Sequence, residues 1–426
     1  MAQGFTQYNI LDTEITVKDS PNLDAFSRLR VSNPLTIFSN QFTYDLSPLV
    51  FEEVTSDPVR CTAAHSSTDR MAVLSFAINT SVSDYIYMQS YEYIPYQPGR
   101  SQLVFVTFNM FPNGINNDSL KFAGLSDGTN GFEFQYDGGA ASPAFAIYSS
   151  SNAGTQIVLQ ANWNLDKLDG TGPSGATLDL TRVQVLVIDF QALYVGRVRM
   201  GFDINGTIVY CHEFLNANST LLYPYIQTAN LPVRAGMQAL VASITDDMYF
   251  ICSSVASEGG SEDVQRFGYN FTASTPATAG ATVLGYKHLL SIRPKTTFNA
   301  ITNRTKFVLS DIEIINTGNK PAQWYIGIGA QLFSPTWNDV NLNYSAFEFD
   351  YSSGFTVVPQ IILDSGYAPS GGGSKTSIEA EAIASKYPIT LDAAGAQRDY
   401  GTISVAAHDI GGSTTLFVTL KWKEIR

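Results

Sequence analysis

The stretch from Arg182 to Phe214 constrains this chain more than any other. Within it Val198, Met200, Phe202 and Ile204 alternate with Arg197, Arg199, Gly201 and Asp203. A period of two puts the first set on one face of a strand and the second on the other. Asn205-Gly206 follows, and Asn-Gly is the strongest short hairpin signal because both turn residues must reach positive φ. The run Val183 to Phe190 is apolar at nearly every position, as in a strand covered on both faces. A covered strand beside a hairpin with one buried and one wet face predicts two stacked antiparallel sheets.

The rest of the chain keeps this texture. Asn113-Gly114, Asp127-Gly128, Asn130-Gly131 and Asp137-Gly138-Gly139 separate short apolar runs, the spacing of a sandwich, jelly roll or barrel. Pro98-Gly99 predicts a type II turn. A glycine-rich loop spans Asp166 to Gly175, and residues 258–286 are small and polar without a period. Strand-like runs resume afterwards, with one helical candidate at Ser377 to Lys386. The expected fold class is all-β: a jelly-roll or lectin-like antiparallel sandwich over 41–265, a linker over 266–285, and a second, smaller β-sandwich over 286–426. Residues 1–40 form an extended N-terminal arm in this reading, and Pro34 and Pro48 bar a helix through Asp24 to Glu53.

Charge narrows the partners. The net charge is −13, with no Lys/Arg run, so no nucleic acid is expected. No segment approaches the ~18 apolar residues of a membrane span and no signal peptide is visible, so no membrane is expected. Cys61, Cys211 and Cys252 lack disulfide or zinc spacing and read as buried free thiols.

Chemistry is sparse. Gly124 to Gly128 matches Gly-x-Ser-x-Gly, but a strand, not a helix, follows it. Gly371 to Thr376 lacks the frame of a phosphate loop. Asn164, Asp166 and Asp169 offer oxygens without EF-hand spacing, and His65, His212, His288 and His408 are scattered. Glu133 and Asp137 share a strand face, but Gln135 stands between them, so the carboxylate row of a glycanase is missing. The expectation is a non-enzyme without metal or cofactor. One face does stand out: Tyr85, Tyr87, Tyr91 and Tyr93 share the odd positions of a run. It predicts an aromatic face, either ring packing or a platform for a glycan or a partner.

Several long motifs carry a resemblance. Asp24-Ala25-Phe26-Ser27-Arg28-Leu29-Arg30-Val31-Ser32 leads into Phe42 to Glu52, and further motifs lie at Tyr96 to Gln102, Asn162 to Gly175, Ile251 to Val255, Arg293 to Phe307 and Tyr387 to Ala396. In these the chain resembles a family of tailed-bacteriophage virion proteins. The resemblance implies a structural part of the virion, assembled in the host cytoplasm: an external head decoration or fibre, or a tail-apparatus component. Other capsid or tail proteins would be its partners, with a homo-oligomer, by analogy a trimer. Phe26, Arg28, Leu29 and Arg30 are then the candidate anchor. The other reading is a host-attachment module that binds a surface glycan.

Overall fold

The computed structural model describes residues 23, 25, 34–191, 193–258, 268–276, 281–371 and 387–426. These form antiparallel sheets, with no α-helix among the described residues. Two large sheets make the first sandwich. One has seven strands, in the order Gln156–Leu159, Ser142–Tyr148, Gly131–Asp137, Ser119–Ser126, Val233–Ala239, Tyr85–Ser90, Phe51–Thr55. The other runs Thr207–Phe214, Val198–Ile204, Gln184–Phe190, Gln102–Asn109, Asp246–Ser257, Met71–Phe76, Cys61–Ser66, with Leu35–Gln41 also pairing Asp246–Ser257. Their facing sides close a ring-rich core: Phe134 lies 5.9 Å from Phe108, 5.5 Å from Phe145 and 5.0 Å from Phe202.

The hairpin forms as its turn chemistry requires. Ile204 pairs with Thr207, and Asn205 and Gly206 hold φ of 54° and 81°. Gly99 sits at φ 83° in the expected turn after Pro98. Gly124 to Gly128 is likewise the end of one strand and a tight turn, with Asp127 N–H bonded to the Asn130 carbonyl.

The second sandwich has its own core around Trp324, Trp422, Phe307 and Phe347. Its long strand Thr414–Ile425 buries Leu416, Val418, Leu420 and Trp422 at every second residue. That strand pairs with Lys306–Asn316 on one side and with Tyr269–Ser274 and Ala281–Val283 on the other. A six-stranded sheet faces it, with Tyr286–Pro294 and Ile403–Asp409 at the centre.

Four expectations change. The strand Leu35–Gln41 belongs to the first sandwich rather than to an arm ending at 40. The linker 266–285 contains two strands, because the edge of Thr414–Ile425 offers backbone partners that a small polar sequence can use. The hairpin's second face is not wet: Arg199 is 1% exposed and Gly201 is buried. Cys61 and Cys211 are buried as expected, but Cys252 is only half-buried on the outer side of its sheet. The helical candidate Ser377 to Lys386 lies outside the described residues, as does the run that follows Gly371.

Candidate functional site: the tyrosine-bearing face and its cover

The outer face of the seven-stranded sheet carries most of the polar and aromatic side chains singled out in the sequence. Strand register sets Glu52, Gln89, Arg234, Gly124 and Glu133 in one cross-strand row. The next row holds Val54, Tyr87, Gly236, Phe122 and Gln135. The two glycines leave a trough, and Arg234 fills it. Its guanidinium lies 4.0 Å from the Tyr87 ring centre and 4.8 Å from that of Phe122. A Cβ on Gly128 would stand 2.0 Å from the Arg234 Nη1, so the turn after Ser126 closes over the arginine.

The four tyrosines do not form one platform. The ladder of Tyr85–Ser90 stops where Ser90 pairs with Phe51, and the Ser90 hydroxyl donates to the Glu92 carbonyl. The chain bends there, and parity is lost beyond it. Tyr85 and Tyr87 stack at 5.9 Å, with Tyr85 37% exposed. Tyr91 lies under Arg398, 3.6 Å from its guanidinium carbon, and Tyr93 under Arg304 at 4.3 Å. Tyr93 is 5% exposed, and burial pushes its hydroxyl up to about 12. Burial also raises Tyr87 and Tyr91 and lowers Arg398. Lys306 pairs with Glu92, and the Glu52 carboxylate accepts from the Ala393 N–H at 2.7 Å. The second sandwich thus covers the Tyr91–Tyr93 end of the face. Arg234, Arg304 and Arg398 had no sequence signal, since no short motif links an arginine to a ring in a remote segment.

Glu133 is 3% exposed, and one of its oxygens is without a partner among the described residues. Burial raises its carboxyl. Asp137, four residues along the strand, is about 13 Å away at ~3.3 Å per residue. Glycosidic cleavage needs two carboxyls at ~5–9.5 Å, and Gln135 occupies the intermediate position, with Tyr148 donating to its side-chain oxygen at 2.7 Å.

The oxygens in the glycine-rich loop do not converge on an ion. Asp166 accepts from the N–H groups of Leu168 and Ser174, Asp169 from Thr171, and Asn164 from Glu213. The two aspartates shape the loop itself, and the Asn164 amide ties it to the strand at Glu213. Among the described residues no group of three or more His, Cys, Asp or Glu could hold a metal.

A second polar cluster lies on the outer face of the hairpin. Asp189 is fully buried and takes a 2.5 Å ion pair from Arg199 and hydrogen bonds from Ser101 (2.9 Å) and Tyr210 (3.0 Å). Arg199 also donates to the Leu23 carbonyl at 2.8 Å, while Gln191 and Arg197 donate to that of Ala25. The Ala25 N–H donates to Ser101 Oγ at 3.0 Å. This cluster is why the hairpin's second face is covered. The candidate anchor Phe26, Arg28, Leu29 and Arg30 lies outside the described residues, immediately after this fastening point.

No family model matches the chain, and no curated protein matches it. Solved structures resemble it over about half of its length. An endo-β-1,4-glucuronan lyase from Trichoderma reesei is 13% identical with a TM-score of 0.35, covering 51% of this chain and 94% of the lyase. A Bacillus licheniformis β-glucanase is 12% identical at 0.33, covering 52% and 97%. Peanut lectin is 12% identical at 0.32, covering 53% and 98%.

Proposed function

We propose that this chain is a non-enzymatic structural protein of a tailed-phage particle, an external head decoration or fibre or a tail-apparatus component, assembled as a homo-oligomer. The observation that carries this reading is the fastening of Leu23 and Ala25. The best-defined motif of the resemblance, Asp24 to Ser32, begins at a point pinned to the body by a buried ion pair. A segment held at its root by buried charge is suited to anchoring. The acidic surface favours an exterior position, away from packaged genome. Mass spectrometry of purified particles of the source phage tests it: the chain should be present in stoichiometric copies, and its absence from intact particles ends the idea.

A second reading, glycan attachment, keeps one specific observation. Tyr85 and Tyr87 remain stacked with Tyr85 open to solvent. On a glycan array the wild-type protein should bind a host-surface sugar, and Tyr85→Ala should weaken that binding by about two- to tenfold. An empty array removes this reading and leaves the structural one standing.

A further inference from the structure

The outer face of the six-stranded sheet in the second sandwich carries aromatic side chains that take no part in either core. Strand register sets Tyr286, His408, Gln323 and Tyr367 in one cross-strand row, and Ala406, Tyr325 and Ser365 in the next. Trp324, Ile326, Val405 and Ala407 alternate with them and fill the core instead. The phenols are open: Tyr286 is 59% and Tyr367 65% exposed, while Tyr325 is half-buried. The Tyr286 ring lies 6.1 Å from that of Tyr325 and 4.6 Å from that of His408. This floor ends at a step, where Phe355 packs on the buried His288 ring at 5.2 Å. Pro359 continues the step, since a Cβ on Gly327 would stand 2.7 Å from the Pro359 Cβ.

The polar groups among these rings are neutral and of both kinds. His408 Nδ1 donates to the Asp409 carbonyl at 2.7 Å, which leaves Nε2 of the neutral ring as an acceptor. The Gln323 carboxamide both donates and accepts, as does the Tyr367 hydroxyl. Neither of these two side chains has a hydrogen-bond partner among the described residues. No member of the two rows is Asp, Glu, Lys or Arg, on a chain whose net charge is −13. We propose that this face binds a neutral oligosaccharide. A sugar ring has an apolar C–H side that packs on phenol rings and a rim of hydroxyls that both donate and accept, which is the mixture presented here. An ionic ligand would find no fixed charge to meet. Size excludes a protein partner for the rows alone. They cross about 14 Å of sheet and lie ~7 Å apart, a footprint on the order of 100 Å², against the ~800 Å² per partner of a specific protein interface. The site lies on a different sandwich from the Tyr85–Tyr87 stack, and neither reading given under Proposed function depends on it.

The full chain is titrated by saturation-transfer NMR with cellotetraose, maltotetraose, laminaritetraose and N-acetylchitotetraose, and with tetragalacturonate as an acidic control. At least one neutral chain should bind saturably, and the control should not bind at the same concentration. Tyr367→Ala removes an exposed ring, and Gln323→Ala removes the carboxamide while keeping every ring. Each should weaken the binding about two- to tenfold. Both sites face solvent, so the fold is kept, and circular dichroism melts should match wild type. No saturable response to any neutral chain overturns the proposal, as does binding of the acidic control alone. Binding that survives both variants but is lost in Tyr85→Ala also overturns it and assigns the sugar to the first sandwich.

Discussion

Arg199 shows what a single buried charge does here. It is held between Asp189, the Tyr210 ring at 4.2 Å and the Leu23 carbonyl. Replacing it with Met takes the buried Asp189 carboxylate's cationic partner away while its hydrogen bonds from Ser101 and Tyr210 remain. Removal of one partner of a buried pair destabilises by about 3–5 kcal/mol. Urea unfolding should show that loss, and limited proteolysis should cut near residue 23 much faster than in wild type. Arg199→Met combined with Asp189→Leu should recover much of the stability in urea while the cleavage stays fast. His288 makes a different prediction. It is fully buried, with Nε2 2.8 Å from Ser291 Oγ, and burial brings its pKa down to about 4. The unfolded ring titrates near 6.5, so between these values the unfolded state binds more protons and stability falls as pH falls. The contribution is complete above about 6.5 and is lost towards pH 4, on the order of 2–3 kcal/mol. His212, lowered to about 4 by burial, acts in the same window. Denaturant midpoints between pH 7 and 4.5 should slope accordingly, and His288→Gln should flatten part of that slope.

The elements were legible where a local rule decides them. Asn205-Gly206 needs only its own φ angles, and Gly206→Ala should cost about 1 kcal/mol in urea unfolding without moving the strands it joins. The apolar alternation of Val198, Met200 and Phe202 identified the core face because side-chain period is local. What failed was non-local. Nothing near Arg199 says that Leu23, 176 residues earlier, covers its face. The odd-numbered tyrosines read as one face because the bend after Ser90 depends on that serine's bond to the Glu92 carbonyl. Tyr269–Ser274 looked like linker because an edge strand borrows its order from the partner it pairs with. Gln135 stands between Glu133 and Asp137 in the sequence and in the strand alike, because spacing along one strand is local.

At the scale of the molecule, the arginines of the second sandwich tie it to the first. Arg398 and Arg304 sit on Tyr91 and Tyr93, flanked by the Lys306–Glu92 pair and the Glu52–Ala393 bond. Cation–ring contacts contribute about 0.5–2 kcal/mol each, more when desolvated, and burial lowers Arg398, a sign that its charge is shielded from water. Two sandwiches with separate cores would otherwise unfold separately, each with its own midpoint. The ties couple them: whichever core is weaker cannot open without uncovering rings and a guanidinium that lose their partners. Calorimetry of the wild-type chain should therefore give one transition. The double variant Arg304→Ala, Arg398→Ala should split it in two, with the calorimetric enthalpy exceeding the van't Hoff value, and Tyr91 should become open to nitration by tetranitromethane. A single unsplit transition in the double variant, with Tyr91 still protected, would mean that backbone contacts such as Glu52–Ala393 carry the coupling instead. In that case Glu52→Gln, which weakens the acceptor but keeps the shape, should produce the split.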